Sequence, residues 1–142
     1  MIVTGSGLPH PSDDVDHCFH FLVRLSRAVG EVHFFLADPR LHHHAWARLE
    51  NGAVTRAYAW ANETVWNQGA KSIAEIELGM KCFSYGGDAG TDPASIEACA
   101  SANVGKIPLL AARWGFDPMN INGNLQNHAS GVAGRSSRFQ KD

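Results

Sequence analysis

A chain of 142 residues, 44% hydrophobic and 18% charged, is long enough to bury the core of one globular domain. A formal net charge of −2 excludes the basic stripe of a general nucleic-acid binder and the acidic excess of a disordered chain. There is no apolar run of the ~20 residues needed to span a membrane, no leader-like charged-then-apolar opening, and three widely spaced cysteines, Cys18, Cys82 and Cys99, in place of a disulfide framework. These features lead us to expect a cytoplasmic protein with no membrane or nucleic-acid partner.

In chain order, residues 1–11 read as a flexible lead-in, residues 12–119 as a single domain, and residues 120–142, rich in Asn, Gly and Ser, as a mobile tail. Ser12 looks like an N-cap, with Asp13 and Asp14 in the favoured first turn. Val15, Cys18, Leu22, Leu25 and Val29 then recur at helical spacing, and Gly30 stops the helix. Glu31–Asp38 is short and rich in β formers, with Val32, Phe34 and Leu36 on one face, and it ends at Pro39.

His42–Ala61 reads as a β-hairpin around Asn51-Gly52, since both turn residues must take positive φ. A plain two-residue turn pairs Leu49 with Val54, Trp46 with Ala57, Ala45 with Tyr58 and His43 with Trp60. One face then carries Leu49, Val54, Ala45, Ala47, Arg56, Tyr58, His43 and Trp60, and is expected to meet the core. The other carries Trp46, His44, His42, Arg48 and Glu50 over Ala53, Thr55, Ala57 and Ala59. That mixed face reads either as a solvated sheet surface or as a recognition platform, because exposed Trp and Arg are common anchors of binding.

Thr64–Trp66 reads as a fourth strand. Ser72 and Glu75 form a capping box ahead of a short helix over Ile73–Leu78. Lys81–Tyr85 suggests a further short strand, and Gly86–Thr91 a flexible loop. Asp92-Pro93 starts a helix of about ten residues, and Pro108–Trp114 looks like a second short one. The expected class is α+β: an antiparallel meander of about four to five strands, with an N-terminal helix and short C-terminal helices on one face.

No catalytic motif is present. There is no H-E-x-x-H, no G-x-S-x-G and no phosphate-binding Gly-rich loop. His42 and His44 share a strand face and are the candidate metal ligands, but zinc takes three or four, so a third would have to come from His33 or Glu63. His17 and His20 lie at i, i+3 on the first helix. Cys18 and Cys99 sit on apolar stripes, and Cys82 lacks an evident base. Glu63, between Trp60 and Trp66, is the one carboxylate placed for acid/base work.

Glu31-Val-His-Phe-Phe, His44-Ala-Trp-Ala-Arg48, Arg56-Ala-Tyr-Ala-Trp60, Glu63-Thr-Val-Trp66 and Glu77-Leu-Gly79, with the later Ile107–Pro118 segment, resemble a family of uncharacterised bacterial cytoplasmic proteins. The resemblance implies structural residues and carries no active site or cofactor. It is associated with small proteins that bind another protein, as immunity proteins do. The reading is therefore a non-catalytic protein-binding domain of immunity or adaptor type, using His44, Trp46, Arg48, Glu63 and Trp66, with no cofactor and a homo-oligomer possible. The alternative is a small-molecule binder or metal-assisted hydrolase using His42, His44 and Glu63.

Overall fold

The computed structural model describes residues 4–87 and 90–118; the expected tail, and part of the Gly86–Thr91 loop, lie outside the described residues. The order is α1 (Val15–Val29), β1 (Glu31–Asp38), β2 (His43–Glu50), β3 (Ala53–Trp60), β4 (Thr64–Gln68), α2 (Ile73–Glu77) and α3 (Pro93–Arg113). The strands form one antiparallel sheet in the order β1-β2-β3-β4. The chain is thus an α+β meander, as expected, and no helix among the described residues is long and apolar enough to cross a membrane.

Helix α1 is capped by Asp14, whose side chain accepts the His17 N–H, and not by Ser12. At its other end the Ser26 hydroxyl accepts the Gly52 N–H at 2.7 Å, and the Gly30 carbonyl accepts the Asn51 N–H at 2.7 Å. The hairpin tip is thereby tied to the helix, and Asn51 (φ 49) and Gly52 (φ 86) take the positive φ that the turn demands.

The hairpin departs from the simple register at one point. Leu49 faces Val54, but Arg48 faces Arg56, so Thr55 is an extra residue on β3. Its hydroxyl donates to the Arg48 carbonyl at 2.9 Å. Beyond this bulge Trp46 faces Tyr58, Ala45 faces Ala59 and His44 faces Trp60. Large side chains therefore lie beside large ones, and small beside small. One face of the sheet is an alanine floor of Ala45, Ala47, Ala57 and Ala59 with Leu49, on which Cys18, Leu22 and Val23 of α1 pack. The other is aromatic, with Trp46, Tyr58 and Trp60 covered by Met80, Phe83 and, from α3, Ala100, Ile107 and Leu110. The helices consequently occupy both faces of the sheet.

Helix α3 is continuous from Pro93 to Arg113, with Pro108 inside it, where two short helices were expected. Proline removes one helical hydrogen bond, but Ile107, Leu110 and Ala111 on either side of it are buried. Burying that stripe against the aromatic face outweighs the lost bond. Helix α2 has the expected capping box, yet its polar residue turns inward: Glu75 is buried, while Ile73 and Ile76 are exposed.

Lys81–Ser84 is not a strand; its backbone groups bond to side chains instead. Asn103 Oδ1 accepts the Lys81 N–H at 3.0 Å, and Asn103 Nδ2 donates to the Lys81 carbonyl. The Tyr58 hydroxyl accepts the Phe83 N–H at 3.1 Å, and the Thr64 hydroxyl donates to the Phe83 carbonyl at 2.8 Å. The segment is a strap held across the aromatic layer, with the backbone groups of Lys81 and Phe83 satisfied by side chains.

Candidate binding site

At the end of the sheet where the β1–β2 and β3–β4 turns meet the start of α3, a cavity of about 560 Å³ opens. Arg40, Leu41 and His42 come from the first turn, Trp60 and Asn62 from the end of β3 and the second turn, and Pro93, Ile96, Glu97 and Ala100 from α3. The first turn is held by Asp38, whose carboxylate accepts the Arg40 and Leu41 N–H groups at 3.0 and 3.4 Å. Partial burial works to raise the Asp38 carboxyl, but these bonds outweigh it and hold the group below its ordinary range. His42 (φ 56) and Asn62 (φ 63) both take left-handed backbone, a conformation uncommon for non-glycine residues and found at ligand clamps. The lining is mixed, with Leu41, Trp60, Pro93, Ile96 and Ala100 apolar; Trp60 lies against Phe83 (ring centroids 5.4 Å apart), and Leu41 is 57% exposed. The volume is that of an ordinary ligand pocket.

Of the residues singled out from sequence, only His42 lines this cavity. Trp46 and His44 were expected on an open platform, but α3 and the strap cover that face, leaving them 0% and 1% exposed. Trp66 is buried on the opposite side of the sheet, edge-on to Phe19. Glu63 is exposed in the β3–β4 turn. Arg48 is half-exposed and pairs with Glu31 (2.9 Å) and Glu50 (3.3 Å). The five candidates are thus dispersed, and they do not form one surface. His42, His44 and Glu63 do not form a ligand set either: among the described residues no group of three His, Cys, Asp or Glu side chains is arranged to hold a metal ion.

Each buried polar side chain in the aromatic layer has a structural task. The Trp46 indole donates to Glu75 Oε1 at 2.9 Å. The Arg56 guanidinium pairs with the same carboxylate at 2.7 Å, and it also donates to the Ala57, Gln68 and Gly69 carbonyls and to Asn67. Burial would raise the Glu75 carboxyl, but the Arg56 hydrogen bonds and the Ser72 N–H hold it below its usual value. It is therefore ionised and fully engaged. His44 donates from Nδ1 to the His42 carbonyl at 2.9 Å, and its Nε2 accepts from Asn103 at 3.2 Å. Burial drives its pKa down to about 4, so the ring is neutral. Burial also pushes the Cys18 and Cys82 thiols up to about 11, which leaves them protonated and poorly nucleophilic near neutrality.

Sequence reasoning missed Arg40, Leu41, Trp60, Asn62, Ile96 and Glu97 as a group, because three separate segments bring them together. The available signals were Asp38 ahead of a tight turn and Asn62 between two strands, both residue types that favour such turns. A scan against protein-family models, a search of curated proteins and a search of solved structures each find no match to this chain.

Proposed function

We propose that the chain is a non-catalytic binding domain, of the kind that immunity and adaptor proteins supply, and that it grips its protein partner at the turn-end cavity. The observation that supports this most is the composition of that cavity, which is lined both by apolar side chains, Trp60, Leu41, Ile96 and Pro93, and by polar ones, Arg40, His42, Asn62 and Glu97. An apolar anchor side chain of the partner fits the cavity, and the polar groups bond to the flanking backbone. This is the division of labour found at binding hot spots. The same reading accounts for the chemistry elsewhere, since Glu75 and His44 are committed to internal hydrogen bonds and the Cys18 and Cys82 thiols are held protonated.

Selection from a displayed peptide library on the wild-type protein, with Ile96→Arg as the counter-target, tests the proposal. Ile96 is only partly buried, on the first turn of α3, so an arginine there fills the cavity. The expected result is enrichment of peptides with an aromatic or branched apolar anchor. These should shift the backbone resonances of Leu41, Asn62 and Ile96, and they should lose at least tenfold in affinity for Ile96→Arg. Peptides that bind the folded variant equally well, or that shift resonances elsewhere, would refute it.

A further inference from the structure

We infer that the free edge of β1 is a self-pairing surface, and that two copies of this chain join there antiparallel into one continuous sheet about a dyad at Phe34. The two edges of the sheet are built differently. On β4 the Tyr85 hydroxyl accepts the Asn67 N–H at 2.6 Å and donates to the Asn67 carbonyl at 3.3 Å, which blocks further pairing. On β1 nothing comparable is present: among the described residues, the outward backbone groups of Glu31–Asp38 have no hydrogen-bond partner. The strand is eight residues long, contains no Pro, Lys or bulge, and carries Val32, Phe34, Phe35 and Leu36. None of its residues is fully buried, whereas the neighbouring β2 buries five. Protected edges normally show one of the missing devices.

The register of self-pairing follows from which way the backbone faces. Gly30 gives its carbonyl to Asn51, so even-numbered residues of β1 turn toward β2, and Glu31, His33, Phe35 and Ala37 turn their N–H and C=O outward. A dyad between two residues would set outward groups against inward ones and place Glu31 opposite Asp38, a like-charge pair. A dyad at Phe35 would set Pro39, which lacks an N–H, opposite Glu31. A dyad at Phe34 pairs Glu31 with Ala37 of the second copy and His33 with its Phe35, and the reverse, so each outward N–H meets an outward carbonyl. On the α1 side Phe34 then meets Phe34 and Val32 meets Leu36, while both carboxylates face small residues. This match of hydrogen bonds, apolar groups and charges identifies the occupant as a second copy of the chain.

Sedimentation of the full chain over a range of concentrations should give a species of twice 15.4 kDa that dissociates on dilution. In wild-type protein the His33 and Phe35 amides should gain exchange protection as concentration rises. His33→Pro removes an outward N–H without touching the β1–β2 ladder, and it should be folded and monomeric. Under mild oxidation Phe34→Cys should cross-link, because facing residues at the dyad lie about 4.5 Å apart. Val32→Cys should not, since the two copies of that residue would lie about 13 Å apart. A wild-type monomer at the highest attainable concentration, a folded His33→Pro dimer, cross-linking of Val32→Cys in place of Phe34→Cys, or β1 amides protected to the same degree at every concentration would each overturn the inference.

Discussion

His44 makes this fold acid-sensitive. In the unfolded chain its imidazole titrates near 6.5; in the folded chain burial lowers that to about 4. Between those values the unfolded state binds a proton that the folded state refuses, so stability is complete above about pH 6.5 and falls as pH drops toward 4. A separation of about 2.5 units corresponds to roughly 3 kcal/mol, a sizeable share of the 5–15 kcal/mol typical of a domain. The lowered carboxyls of Glu75, Glu31, Asp38 and Asp92 act in a different window, because their contributions are lost only below ordinary carboxylate values. Urea denaturation from pH 7.5 to 4.5 should show the wild type losing about 2–3 kcal/mol. In His44→Gln, which keeps an oxygen to accept from Asn103, that loss should shrink by most of this amount even if the variant is weaker at pH 7.5. Parallel stability–pH curves for the two proteins would refute the assignment.

Other substitutions probe the layers beneath the cavity. Trp46→Ala empties a fully buried site beside Tyr58 and should cost about 3–5 kcal/mol in chemical denaturation; a near-neutral result would return Trp46 to the surface role expected from sequence. Glu75→Gln leaves the Arg56 guanidinium buried without its counter-charge, and a loss of about 3–5 kcal/mol is expected, measured in the same way. Gly69 sits at φ +78, where an added Cβ would lie 2.3 Å from the Thr55 carbonyl oxygen. Gly69→Ala should therefore lower the melting temperature by the equivalent of more than about 1 kcal/mol.

The local signals were legible. Asn51-Gly52 marked the hairpin turn, Ser72 with Glu75 marked the α2 capping box, Asp92-Pro93 marked the start of α3, and the β1 boundaries follow from composition alone. The Thr55 bulge was not legible, because nothing in Ala-Val-Thr-Arg distinguishes a residue in the ladder from one that stands out of it. That single residue decides which side of the sheet receives Arg56, Tyr58 and Trp60, and so decided the fate of the proposed platform. Pro108 misled in the same way: a local breaker was overridden by burial on both sides of it. Asn103 could not be recognised either, since its partners, His44 and Lys81, are distant in sequence.

The alanine floor has a consequence for how this chain tolerates change. Methyl groups at Ala45, Ala47, Ala57 and Ala59 let α1 settle close to the strands, leaving no slack for bulk on that side. Because Thr55 stands out of the ladder, deleting it would leave Arg56 opposite Arg48 and the rings where they are, whereas loss of a residue beyond the bulge, such as Ala57, would turn Tyr58 and Trp60 over onto the floor. A three-nucleotide loss at the Ala57 codon is thus equivalent to swapping the molecule's two interiors, and it should be far less survivable than the same loss at Thr55.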